Sequence, residues 1–157
     1  MKNTDETSGL ERENVGRIDH IVLAFENREN LDRERERLTA LLGVDDWEEL
    51  GEIENVGLYI WISWRAGLEL ICPTRPGSIA EEHLATHGEG FYSMVFGVQD
   101  LDAAIARVND NGGEAFPLDA TTPEGALRHY AVTREAVVGE VGGINVLLGE
   151  FALRRKS

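Results

Sequence analysis

Four histidines and a single cysteine are the residues of this chain best suited to nucleophilic, acid–base or metal chemistry, and their contexts differ. His20 falls within an apolar, β-branched run, Arg17 to Phe25, where an imidazole is out of keeping with its neighbours. His83 and His87 sit in a polar connector that reads as surface, and His129 lies between Arg128 and Tyr130 in a run, Ala126 to Thr133, that reads as a strand. Strand alternation there sends either Arg128 and Tyr130 or His129 inward, and the sequence leaves both open. An inward arginine would favour an anionic ligand. Cys72 cannot form an internal disulfide or a multi-thiolate metal site, so any metal must use His, Asp or Glu. With no recognisable base beside it, Cys72 reads as a buried strand residue.

The elements that must position these residues follow from hydrophobic period and turn chemistry. After Phe25 a helix is expected, capped by Asn30, with Leu31, Leu38, Leu41 and Leu42 on one face and Gly43 at its end. Strands are expected at Trp47–Leu50, Val56–Trp64 and Leu68–Cys72, the last ended by Pro73. A short helical connector, Ile79 to Thr86, leads to a strand at Phe91–Val98, and Asp100 then caps a second long helix that ends at Asn111-Gly112-Gly113. Strands near Glu114–Leu118, Ala126–Thr133 and Ile144–Leu148 complete the pattern, with the Gly-rich stretch before Ile144 read as a loop. Asn30-Leu31-Asp32 and Asp100-Leu101-Asp102 open the two helices 70 positions apart, the mark of an internal duplication. The expected fold is therefore α+β: two tandem βαβββ modules, residues 17–73 and 91–151, joined by a connector at 74–90 and forming an incomplete barrel around a central cavity. Residues 1–16 read as a disordered acidic tail, 17–153 as one domain, and 154–157 as a basic C-terminal tail.

Composition narrows the function classes. The 157 residues are 42% hydrophobic and 28% charged, as in ordinary globular proteins, and no apolar run is long enough to span a bilayer. The start lacks the basic and apolar regions of a secretory signal, so a cytoplasmic location is expected. A net charge of −14 repels nucleic-acid backbones, which makes a small molecule the expected partner, with no nucleic acid and no membrane. Tyr59, Trp61 and Trp64 are expected to pack a cavity wall or a dimer seam.

Three stretches together resemble the vicinal oxygen chelate superfamily, which includes glyoxalases, bleomycin-resistance proteins and extradiol dioxygenases. They are Ile18-Asp19-His20-Ile21-Val22, Leu68-Glu69-Leu70-Ile71-Cys72-Pro73, and Gly88-Glu89-Gly90 leading into Val98-Gln99-Asp100-Leu101-Asp102-Ala103-Ala104-Ile105. Within the superfamily the pattern is most similar to methylmalonyl-CoA epimerases and glyoxalase-like proteins. The resemblance places His20 and Glu69 at the first two of four family metal-ligand positions, and puts Ser93 and Leu147 at the other two. A serine hydroxyl is a poor transition-metal ligand and leucine is none, so the resemblance implies a degenerate site and no cofactor, with His20 and Glu69 the remaining ligands if a metal binds.

In the family register His20, Glu69 and Ser93 face the cavity, and Asn145 shares the face of Leu147. The resemblance then implies an isomerase, epimerase or lyase that works without metal. Glu69 and His20 would move protons, and Ser93 and Asn145 would orient substrate oxygens, with Tyr130, Arg128 and His129 as further substrate-binding candidates. Two alternatives stand beside it. One is a non-catalytic sequestering protein of the bleomycin-resistance type, which the −14 charge suits; the other is a metal-dependent lyase or epimerase whose ligand set is completed by Glu150 or His129. A homodimer is expected by resemblance.

Overall fold

A computed structural model of the chain describes residues 9–120, 122, 123 and 125–154. Its element order is β1 (Ile18–Ala24), α1 (Arg28–Leu42), β2 (Glu48–Ile53), β3 (Leu58–Ser63), β4 (Leu68–Pro73), α2 (Glu81–His87), β5 (Gly90–Gly97), α3 (Leu101–Asp110), β6 (Phe116–Leu118), β7 (Tyr130–Val141) and β8 (Ile144–Leu153). This is the α+β pattern expected, βαβββ twice with a short helix between. The strands form a mixed sheet in the order β2-β3-β4-β1-β5-β8-β7-β6, in which β1 pairs parallel with β4 while β2-β3-β4 and β6-β7-β8 are antiparallel runs. The described residues divide into two compact units, one of residues 20–94 with 119–126, the other of residues 9–19, 95–118 and 127–154.

In the first unit α1 starts one turn before the Asn30 that the sequence favours. The side chain of Asn27 accepts a hydrogen bond from the Asn30 N–H, satisfying a free donor of the first turn, and Gly43 closes the helix in the left-handed region. Leu31 and Leu38 pack with Phe25, Leu70 and Cys72, so α1 covers one face of β3 and β4. The expected apolar stripe stops there. The last turn lies beyond that cluster and leaves Leu41 and Leu42 exposed. Part of the docking is cationic instead, with the Arg28 guanidinium 3.4 Å above the Tyr59 ring and that of Arg35 4.3 Å above Trp61. Tyr59 and Trp61 thus pack beneath α1, and no helix among the described residues is long and apolar enough to cross a membrane.

Cys72 is buried in the same cluster. Burial pushes its thiol up to about 11, Arg28 pulling the other way and Asp32 adding to the rise. At pH 8 about one molecule in a thousand then carries a thiolate. Native protein should therefore resist iodoacetamide at that pH and react fully once unfolded in urea; rapid alkylation of the native state would show that the thiol is not held in this way.

In the second unit Asp100 caps α3 as expected, its carboxylate accepting from the Ala103 N–H. Leu101 occupies the position equivalent to Leu31, and the two are 1% and 0% exposed, so the duplication seen in the letters is a duplication of buried anchors. Residues 9–16, expected as tail, are packed: Arg12 bridges to Ala152, Val15 bridges to Gly97, and the Glu13 N–H donates to the Phe151 carbonyl. A Cβ on Gly97 would collide with the carbonyl of Asn14, so glycine is what lets this segment lie so close. Strand β7 differs most from expectation. It begins at Tyr130 rather than Ala126, because Leu127 takes a left-handed conformation in the turn before it, and it runs on to Val141 through a register shift between Val137 and Gly139. Strand β8 likewise extends to Leu153.

Candidate functional site

The site is built on the strands of the first unit. Leu23 on β1, Tyr59 and Trp61 on β3, and Leu70 and Cys72 on β4 all belong to the cluster with Leu31 and Leu38 of α1. Because successive side chains of a strand point to opposite faces, His20 and Val22, Ile60 and Ile62, and Glu69 and Ile71 share the other face. Register fixes their order: Glu69 is paired with Val22 on one side and with Ile62 on the other. A carboxylate is thereby set between two aliphatic side chains.

His20 joins it. Its Nε2 lies 3.0 Å from a Glu69 carboxylate oxygen, and the imidazole is 1% exposed against 16% for the carboxylate side chain. The ring of Trp64 meets His20 edge-on at 5.7 Å between centroids, walling the imidazole. Within the pair, Glu69 is the member that reaches solvent. On β5, beside β1 in the sheet, Ser93 is fully buried and its hydroxyl has no hydrogen-bond partner in the structure. A buried hydroxyl left in that state is costly unless something else satisfies it. Tyr92, which the sequence reading did not single out, is the next residue; burial raises its phenol above the usual value and the negative charge of Glu69 raises it further. Its position next to Ser93 was the available signal.

The other sequence candidates lie in the second unit. Arg128 and His129 are exposed in the turn before β7 and are not strand residues; the carbonyl of Arg128 accepts from the Arg154 side chain, and that of His129 from the Arg154 N–H. Tyr130 opens β7, is buried, and donates from its hydroxyl to the Glu13 carboxylate at 2.8 Å. Asn145 is half-buried on β8 opposite Glu140, and Leu147 is buried opposite Val137. Glu150 is committed elsewhere. The β7–β8 register passes through Gly149 without a bulge, and its carboxylate accepts two hydrogen bonds from Arg12, at 2.7 and 3.1 Å, and one from the Leu101 N–H at 3.0 Å. Its oxygens are already used by the start of α3 and by Arg12.

Within the first unit His20 and Glu69 bring two ligand-type donors together, and among the described residues no group of three or more His, Cys, Asp or Glu side chains is arranged to hold an ion. His83 and His87 stack on each other at 4.5 Å, with His83 edge-on to Tyr92.

With this geometry in place, the comparisons with known proteins assign the class. Residues 19–133 match the model of the Glyoxalase/Bleomycin resistance protein/Dioxygenase superfamily, and the chain belongs to that superfamily. Among solved structures it is similar to a variant of the Streptomyces coelicolor methylmalonyl-CoA epimerase in complex with 2-nitronate-propionyl-CoA, with 26% identity, a TM-score of 0.65, and coverage of 86% of this chain and 94% of that one. A methylmalonyl-CoA epimerase in complex with methylmalonyl-CoA and NH4+ matches at 26% identity and a TM-score of 0.63, over 89% and 94% of the two chains. The Mycobacterium tuberculosis methylmalonyl-CoA epimerase shares the fold at 23% identity and a TM-score of 0.65, over 87% and 88%. No curated protein sequence matches the chain.

Proposed function

We propose that the protein is an epimerase-type isomerase of small carbonyl compounds, with Glu69 the group that moves the proton and His20 its positioning residue. The observation that carries this reading is the buried His20–Glu69 contact at 3.0 Å, with the carboxylate as its solvent-reaching member. The epimerase structures of similar fold, whose titles name acyl-CoA ligands, support the substrate class. In the reaction the carboxylate takes a proton from the carbon next to a carbonyl and the C–H electron pair moves into an enolate; return of a proton to the same face gives exchange alone, and protonation of the opposite face from water gives the epimer. A hydroxyl donor at Ser93 suits the enolate oxygen. The chemistry needs no metal at this donor set, and we propose that none takes part.

The test is deuterium exchange. Protein treated with a chelator and then freed of it is incubated in D2O with methylmalonyl-CoA and other 2-substituted acyl thioesters, and the one-unit mass gain at the α-carbon is followed. The expected result is exchange that survives chelation. Exchange lost on chelation and restored by zinc, manganese, cobalt or nickel would overturn metal independence. Tight binding of cationic or aromatic ligands with no exchange, unchanged in Glu69→Gln, would replace the enzyme with a sequestering protein, which the net charge of −14 would suit.

A further inference from the structure

The charge on the site face of the first unit defines its substrate more narrowly. The unit contains six arginines, Arg28, Arg33, Arg35, Arg37, Arg65 and Arg75, and no lysine. Four are on α1, the helix packed against the opposite face of β3 and β4. Arg65 lies in the turn between β3 and β4 and pairs with Asp45 and Asp46. Arg75 follows β4 and donates to the carbonyls of Glu54 and Asn55. Among the described residues of this unit, no guanidinium or ammonium belongs to the strand face that carries Glu69. Among the described residues no group of three or more His, Cys, Asp or Glu side chains is arranged to hold an ion there.

We infer that the reacting end of the substrate is an uncharged carbonyl compound, a ketone or a thioester with no carboxylate on the reacting carbon. This rests on the proton-transfer reading of Glu69. A substrate carboxylate on that carbon would come within a few ångströms of Glu69, on a face with aliphatic neighbours at Val22 and Ile62 and, among the described residues of this unit, no Arg or Lys to offset two negative charges. A neutral carbonyl meets no such repulsion. Its oxygen also supplies what the structure lacks, an acceptor for the Ser93 hydroxyl, which is 0% exposed and has no hydrogen-bond partner.

The experiment compares two substrates of the same shape, a methylmalonyl thioester and the corresponding thioester in which the free carboxylate is a carboxamide. Deuterium exchange at the α-carbon is measured for each, corrected for the uncatalysed rate. The expected result is a kcat/KM at least about tenfold higher for the carboxamide, the scale of one unrelieved like-charge contact in a partly buried site. Glu69→Gln should lower exchange of both by about 10²–10⁴. Ser93→Ala, with an unchanged melting temperature, should lower kcat for the carboxamide more than it raises KM, the pattern of a lost enolate contact. Equal or faster exchange of the carboxylate overturns this inference and leaves the proton-transfer reading standing. Exchange of neither substrate, or exchange undiminished in Glu69→Gln, overturns both.

Discussion

Glu150→Ala is expected to destabilise the protein by about 3–5 kcal/mol, the usual cost of breaking a buried ion pair from one side. The Arg12 and Glu150 side chains are 8% and 6% exposed and meet at 2.7 Å, so removal of the carboxylate takes the counter-charge from a guanidinium that water barely reaches. The same carboxylate accepts from the Leu101 N–H at the start of α3, where an anion also complements the helix dipole. Arg134, 3.6 Å away, is half-exposed and paired with Asp102, so it adds little. Urea unfolding followed by circular dichroism measures the effect. Glu150→Gln keeps an acceptor for Leu101 and should fall between alanine and wild type. The pair Arg12→Met with Glu150→Leu removes both charges and should recover most of the loss. A Glu150→Ala protein within about 0.5 kcal/mol of wild type would show that the pair is not buried in solution.

That pair also marks the limit of what the sequence discloses. Arg12 lies in a stretch whose polar, acidic letters read as tail, and its partner is 138 positions away, beyond any periodicity or capping rule. Nothing local in Arg12 or Glu150 announces the other. The strand elements were legible where alternation or a closing Gly or Pro bounded them, as at Leu68–Pro73, and the duplicated helices were legible from their caps and from Leu31 and Leu101. The cap of α1 was misplaced because Asn27 and Asn30 are chemically equal candidates, and only the helix itself decides which accepts and which donates. The end of β7 was misread for a different reason. Gly139, at φ 91, allows a bulge inside the strand, while in the letters it looks like the loop glycines that follow it. His20 and Glu69 were readable as candidates because each is a polar side chain in an apolar strand. The contact between them depended on the parallel pairing of β1 with β4, which the resemblance implied and the letters alone do not contain.

Glu69→Gln is expected to lower kcat for α-carbon exchange by about 10²–10⁴, the usual contribution of a positioned general base, or about 3–5 kcal/mol of transition-state stabilisation. Glutamine keeps the shape of the side chain between Val22 and Ile62, and it keeps a polar atom beside His20. What it removes is the capacity to hold a proton. Stability should therefore change by less than about 1 kcal/mol, as for an isosteric change at a partly exposed position. His20→Gln separates the two members of the pair. The imidazole is 1% exposed and edge-on to Trp64, and in the proposed reaction it acts through Glu69 rather than on substrate. Its loss should lower kcat by about tenfold with KM nearly unchanged, since the misaimed base still binds substrate but reacts from a poorer geometry. The asymmetry between the variants is the diagnostic. A deeper loss in His20→Gln than in Glu69→Gln would make the histidine the proton carrier, and equal, small effects in both would leave the pair as packing and remove the basis for an enzyme at this face.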